Sequence, residues 1–167
     1  VKALHKMGRL HEVLIYQSGG HQTEPLKRQD FKVGLVMPHY PGQDLVSYLN
    51  DIIDTKNKRQ PPPEPFNSLY SALTLCEGMI DALQVWHDAH ILQRDIKPGN
   101  ILADFNEGHW EVTLLDADLC TEYEDPSSAV ILTVRGTPGY VAPEVIPGKF
   151  MPFADGQKTD VIGLGAT

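Results

Sequence analysis

Gln93-Arg94-Asp95-Ile96-Lys97-Pro98-Gly99-Asn100 is the stretch on which the fold turns. It places a carboxylate, an ammonium and a carboxamide within six residues, around a Pro-Gly pair that forces a tight, non-helical path. On its own it is also compatible with a plain polar turn, so its surroundings decide. Upstream, Leu69, Ala72, Leu73, Cys76, Met79, Ile80, Leu83 and Trp86 recur at helical spacing, which predicts a helix with that stripe in the core. A loop over 88–100 follows, then a strand pair, Ile101-Leu102-Ala103 with Glu111 to Leu115, and an irregular stretch to Glu144. A new apolar segment begins at Val161.

Further out toward the N-terminus, Val1, Leu4 and Met7 have the spacing of a helix ending near Gly8. His11 to Tyr16 and Phe31 to Met37 are rich in strand formers, separated in part by a turn at Gln17-Ser18-Gly19-Gly20. Asp44 is placed to cap a short helix reaching Asp51. Residues 55–66, with Pro61-Pro62-Pro63 and Pro65, are expected to be a solvated loop rather than a polyproline ligand.

The 167 residues, 41% of them hydrophobic, suffice for one globular domain with its own core. No apolar run approaches the roughly 20 residues of a membrane span, and the start lacks the pattern of a signal peptide. A net charge of −8 disfavours nucleic-acid and acidic-lipid partners. Cys76 and Cys120 have no metal or redox spacing and are expected to be reduced thiols, which points to an intracellular protein, the cytoplasm being the first expectation and the nucleus the second. His87 and His90 lack the companions a metal site needs. Neither Gly19-Gly20 nor Gly163-x-Gly165 has the context of a phosphate loop. Starting at Val1 rather than Met hints at a piece of a longer chain.

Three further stretches stand in order with the opening one. Asp116 follows the strand Val112-Thr113-Leu114-Leu115, sixteen residues after Asn100. Gly136-Thr137-Pro138-Gly139-Tyr140-Val141-Ala142-Pro143-Glu144 comes next, and then Lys158-Thr159-Asp160-Val161-Ile162-Gly163. Together with Gln93–Asn100 they resemble the catalytic loop, the metal-binding aspartate, the end of the activation segment and the following helix of the eukaryotic protein kinase family, in its serine/threonine branch. The resemblance covers essentially the whole chain. It implies an α+β, protein-kinase-like fold incomplete at both ends. Residues 1–37 would be the end of the small lobe, 38–43 the hinge and 44–167 part of the large lobe, with 116–144 the activation segment.

The same resemblance implies a transfer of the ATP γ-phosphate to a protein hydroxyl, with Mg2+ as the metal. Asp95 would accept the hydroxyl proton, Lys97 would neutralise phosphoryl charge, and Thr137 would hydrogen-bond both. Asn100 and Asp116 would ligate magnesium. Met37 would be the gatekeeper, Pro38 and Tyr40 hinge positions, Asp44 a neighbour of the ribose and Leu102 the floor under adenine. Arg94 would pair with a phosphorylated activation-segment residue, Thr133 first and Ser127 or Ser128 second, placed there by an upstream kinase. Glu144 and Asp160 would be structural, Asp160 at a helix start bracing the loop from below.

Three residues depart from the pattern. Gln93 stands for a histidine, Ala117 for a phenylalanine that stacks on it, and Asp118 for a glycine. The glycine-rich loop, the strand lysine and its helix glutamate do not occur, the glutamate falling just before Val1. The isolated chain is therefore expected to transfer phosphate weakly or not at all. The alternative implied is a pseudokinase or regulatory scaffold that binds nucleotide or partners. A small-molecule kinase of the same fold is opposed by the peptide-docking stretch Gly136–Glu144.

Overall fold

The structure is a computed structural model that describes residues 4, 6–10, 12–17, 31–146 and 148–167. The chain forms two compact units, Val1–His39 and Tyr40–Thr167. In the first, Leu4 and Lys6 are helical and Met7–Gly8 is a turn, so that helix stops where expected. Strands β1 (Glu12–Gln17) and β2 (Phe31–Val36) pair antiparallel, Glu12 opposite Val36 and Gln17 opposite Phe31. Pro38, which lacks an N–H for a ladder, follows closely on β2. The turn expected at Ser18–Gly20, the residue His11 and the start of the first helix lie outside the described residues.

The second unit opens with β3 (Gln43–Asp44) and helix α1 (Leu45–Asn57). Asp44 caps α1 as the sequence predicts: its side chain accepts from the Ser47 N–H at 3.1 Å and the Ser47 hydroxyl at 2.9 Å. The helix does not stop at Asp51, however. It runs six residues further, because Ile52 to Asn57 hold no breaker and Thr55 bonds back to the Ile52 carbonyl at 2.8 Å. The proline-rich loop is correspondingly shorter, starting after Asn57. It is not wholly solvated either, since Phe66 packs edge-on against Tyr48 at 5.1 Å and tilted against Trp110 at 5.3 Å.

Helix α2 (Leu69–Asp88) is capped by Ser68, which accepts from the Ser71 N–H at 3.1 Å. Its existence and length follow the sequence, and Leu83 and Trp86 of the expected stripe are buried, but the rest of that stripe is not the core face. Leu69, Ala72, Leu73, Cys76 and Ile80 are exposed, and the core side is Ser71, Leu75, Ala82, Leu83, Trp86 and His87. The contact with β6 (His109–Leu114) explains the rotation. The Trp110 indole N–H donates to the Ser71 carbonyl at 2.9 Å and its hydroxyl at 3.0 Å. Gly78 lies so close that a Cβ there would sit 2.8 Å from Val112 Cγ2. A serine and a glycine carry the closest contacts, and neither registers in an apolar stripe.

The loop expected over 88–100 contains β4 (Ile91–Leu92), which pairs with β7 (Thr121–Glu122), and ends in a 3-10 turn at Pro98–Asn100. Strand β5 (Ile101–Asn106) pairs antiparallel with β6 through all six residues and with β3 on its other side. Gly42 leads into β3 at φ +94°, and a Cβ there would lie 2.3 Å from the Ala103 carbonyl oxygen, which as backbone cannot swing aside. Gly42→Ala is expected to lower stability by about 2 kcal/mol or more, read as an earlier urea midpoint.

Strand β8 (Ala129–Leu132) pairs with β9 (Lys149–Pro152), folding 129–152 back on itself. Beneath it Leu92, Tyr123, Leu132, Ala142, Val145, Met151 and Phe153 form one buried cluster, and the Tyr123 hydroxyl donates to the Met151 carbonyl at 2.8 Å. Helix α3 (Phe153–Gly165) follows. It begins eight residues before Val161, so Asp160 is mid-helix and not at a helix start. Pro152 preceding the first turn and Asp155 inside it are ordinary N-terminal signals. Among the described residues no helix is long and apolar enough to cross a membrane.

Candidate active site

The stretch from Gln93 to Asn100 is held from three sides. From the N-terminal side it hangs on β4, whose Ile91 and Leu92 are fully buried. From below it rests on α3, which presents Gly156, Asp160 and Gly163 at i, i+4 and i+7 on one face. A Cβ on Gly156 would overlap Leu92 Cδ1 at 2.3 Å, and one on Gly163 would touch Ile96 Cβ at 3.4 Å. Between the two glycines the Asp160 carboxylate, 1% exposed, accepts from the Arg94 N–H at 2.9 Å, the Gln93 N–H at 2.9 Å and His87 Nε2 at 3.0 Å. His87 is thus a buried partner of the loop's brace, a role that helical spacing alone does not reveal.

The third side is the segment carrying Thr137. Gly136 has φ +115°, and a Cβ there would come within 2.7 Å of the Arg94 carbonyl oxygen. Only a residue without a side chain lets the segment pass so near the loop in that conformation. Thr137 arrives beside Asp95 as a result. Its hydroxyl donates to Asp95 Oδ1 at 2.7 Å and accepts from Lys97 Nζ at 2.9 Å. Lys97 Nζ also donates to Asp95 Oδ2 at 2.7 Å, and Asn100 Nδ2 donates to the Asp95 carbonyl at 2.9 Å and Oδ2 at 3.1 Å. Asp95, Lys97, Asn100 and Thr137 therefore form one connected polar cluster. Burial pushes the Asp95 carboxyl upward, but the hydrogen bonds from Lys97 and Thr137 and the Lys97 charge outweigh it and hold the group below the ordinary carboxylate range.

Asp116 joins the cluster through the backbone. The Leu115 N–H donates to the Asn100 carbonyl at 2.7 Å, and Gln93 Nε2 donates to the Leu115 and Asp116 carbonyls, each at 3.0 Å. Asp116 has φ +63°, its side chain is exposed, and Oδ1 accepts from the Asp118 N–H at 2.9 Å. That turn uses only the backbone of residue 118, so the aspartate in place of a glycine fits it. Among the described residues no group of three or more His, Cys, Asp and Glu stands ready for a metal. Asn100 Oδ1 and the Asp116 carboxylate supply two hard oxygen donors on adjoining backbone, the type magnesium takes when phosphate and water oxygens complete its shell.

Arg94, at φ +71°, points its guanidinium the other way. Nη1 donates to the Thr121 hydroxyl at 2.8 Å and Nη2 to the Thr133 carbonyl. Burial and the neighbouring positive charge of Arg135 lower its pKa. Thr133 itself is exposed. Of the remaining expected positions, Met37 is exposed and Pro38 half-buried in the first unit. In the second, Tyr40 and Leu102 are half-buried, and Asp44 pairs with Leu102 across β3 and β5. Glu144 is half-buried in a 3-10 turn, beside a cleft shared with Phe150, Met151, Asp155 and Lys158. Sequence reading missed two members of the site, His87 as a partner of Asp160 and Gln93 as a hydrogen-bonding hub.

The comparisons with known proteins agree with this arrangement. Residues 6–167 match the protein kinase domain. The chain is 29% identical over 161 residues to the serine/threonine-protein kinase CLA4 of Eremothecium gossypii, covering 93% of this chain and 19% of that protein. It is 33% identical over 128 residues to the putative serine/threonine-protein kinase R436 of Acanthamoeba polyphaga mimivirus, covering 74% and 43%. With the human serine/threonine-protein kinase MRCK alpha it shares 33% over 119 residues, covering 71% and 6%. The chain thus spans less than half the length of these relatives. A match over nearly all its residues makes the chain a member of the protein kinase domain family.

Proposed function

We propose that this chain carries the catalytic centre of a serine/threonine protein kinase, transferring the γ-phosphoryl group of ATP to a protein hydroxyl. The observation that carries the reading is the Asp95–Lys97–Thr137 triangle, with its three contacts of 2.7, 2.9 and 2.7 Å. An ionised carboxylate has about four acceptor sites on its two oxygens. Lys97 and Asn100 donate to Oδ2 and the Thr137 hydroxyl to Oδ1, and the ionised carboxylate would accept from a substrate hydroxyl oxygen brought to it. That oxygen attacks the γ-phosphorus, its proton passes to Asp95, the bond to the β–γ bridging oxygen breaks, and ADP leaves. Lys97 would offset charge on the transferred group. Asn100 and Asp116 would hold magnesium, which when bound neutralises phosphate oxygens. Met37, Pro38, Tyr40, Asp44 and Leu102 are the proposed nucleotide contacts.

The Arg94 guanidinium donates to the Thr133 carbonyl and lies within the field of Arg135, so a phosphate on the exposed Thr133 side chain would gain charge-assisted hydrogen bonds there. We assign Thr133 as the regulatory phosphosite of the same reading. The function is tested by incubating the chain, and any longer protein that contains it, with magnesium, labelled ATP and a generic protein substrate. Transfer to serine or threonine by the longer protein is the expected result, with phosphopeptide mapping placing its own phosphate on Thr133. Tight ATP binding without transfer would favour a scaffold, and phosphate only at Ser127 or Ser128 would move the regulatory assignment.

A further inference from the structure

Gln93 is 1% exposed and spends its polar groups on the backbones that carry the reacting side chains. Its Oε1 accepts from the Asp95 N–H at 2.7 Å, and its Nε2 donates to the Leu115 and Asp116 carbonyls, each at 3.0 Å. Both amide protons are used. The orientation of the carboxamide is fixed by this set, because a flip would turn its oxygen toward two carbonyls and its NH2 toward an N–H. The main-chain N–H of the same residue is held by Asp160. One side chain therefore couples the backbone of the proposed base to the backbone of the proposed metal ligand.

The coupling matters because Asp116 adopts φ +63°. A non-glycine residue there costs about 1–3 kcal/mol and persists only where its surroundings over-determine it. The bond from the Leu115 N–H to the Asn100 carbonyl is one constraint, and the Gln93 amide provides two more on consecutive carbonyls. We propose that Gln93 is a positioning residue, which locks the backbone of Leu115–Asp116 to that of Asp95 so that the Asp116 carboxylate stays in register with Asn100 and the base. It does this by hydrogen bonding alone, with only Ala117 beside the metal ligand and no aromatic ring there to stack. The inference rests on the kinase reading for its catalytic consequence, but not for the backbone lock itself.

Two variants of the full chain separate the contributions. Gln93→Glu keeps the acceptor for the Asp95 N–H and loses both donors. Gln93→Met keeps the length and loses all three bonds, and it introduces no buried charge, so it carries the test if the glutamate variant does not fold. Amide hydrogen exchange followed by NMR is the first readout. Exchange at Leu115 and Asp118 is expected to speed up about tenfold or more in both variants, and exchange at Asp95 only in Gln93→Met, with Ala82 to Trp86 unchanged. The second readout is transfer by the longer protein: the Mg2+ concentration for half-maximal rate rises about tenfold or more in Gln93→Met, while KM for the protein substrate moves less than about threefold.

A general structural role would instead speed exchange throughout the second unit and leave the Mg2+ dependence as it was, and that result overturns the proposal. Unaltered exchange at Leu115 and Asp118 in Gln93→Met overturns it too. If the unaltered protein transfers no phosphate, the kinase reading fails, and the exchange pattern still decides the role of Gln93.

Discussion

Asp95→Asn is expected to reduce phosphoryl transfer by about 10²- to 10⁴-fold while leaving the fold in place. The amide is isosteric, and its NH2 has one favourable direction. Turned toward Thr137, whose oxygen can accept, it leaves the remaining oxygen for Lys97 Nζ and Asn100 Nδ2, which lie at 2.7 and 3.1 Å from Oδ2. The cluster therefore keeps the contacts from Lys97 and Asn100, leaves the Thr137 hydroxyl proton without its Asp95 acceptor, and loses the carboxylate charge. What disappears is the ability to take a proton, together with the counter-charge that steadies Lys97. Stability should fall by about 1–2 kcal/mol at most, since one charge-assisted pair becomes an ordinary hydrogen bond. Steady-state transfer to a protein substrate, measured beside thermal denaturation, separates the two effects. A variant that retained activity would remove Asp95 from the role of base.

Much of this site is legible in the order of the residues, because its polar side chains are concentrated in short stretches. Asp95, Lys97 and Asn100 share one tight loop, so their proximity follows from the spacing around Pro98-Gly99. Thr137 is 42 residues from Asp95, and only the family resemblance could bring it there. The conformation that completes the approach is physical, the positive φ of Gly136 against the Arg94 carbonyl. Strands β1, β2, β5 and β6 and the cap at Asp44 were equally legible, since β-forming runs and an N-cap side chain act locally.

What the sequence hid depends on partners far along the chain. The buried face of α2 is set by Trp110 reaching Ser71 and by Val112 closing on Gly78, so apolar residues such as Leu69 and Leu73 face outward. The length of α1 reflects an absence of breakers, which marks no boundary, whereas the start of α3 is marked by Pro152 and Asp155 but is largely polar and so lies outside the apolar segment at Val161. The folding back of 129–152 needs β8 and β9 to find each other across the 16 residues between Leu132 and Lys149, and nothing local announces it. Gln93 is the sharpest case. Compared with a family pattern it reads as a loss, whereas the structure gives its carboxamide three backbone partners.

Asp160→Ala is expected to be the most damaging single change to stability, costing about 3–5 kcal/mol. The carboxylate is 1% exposed and satisfies the main-chain N–H groups of Gln93 and Arg94 as well as His87. Removing it strands two main-chain donors where water does not reach, each worth about 1–3 kcal/mol of lost desolvation. It also opens a gap between α3 and the loop that neither Gly156 nor Gly163 has a side chain to fill. Against a total of about 5–15 kcal/mol for an ordinary domain, the loss takes a large share. Asp160→Asn should cost less, about 1–3 kcal/mol, because one oxygen remains for the Arg94 N–H while the NH2 turns to His87 and only Gln93 loses its acceptor. Asparagine keeps the packing, so its fall below the unaltered protein is the result that reports loss of a specific acceptor, and the further fall to alanine adds the other acceptors and the packing. Urea unfolding of the three proteins measures it, and an asparagine variant as stable as the unaltered protein would show that the Asp160 acceptors do not hold the loop.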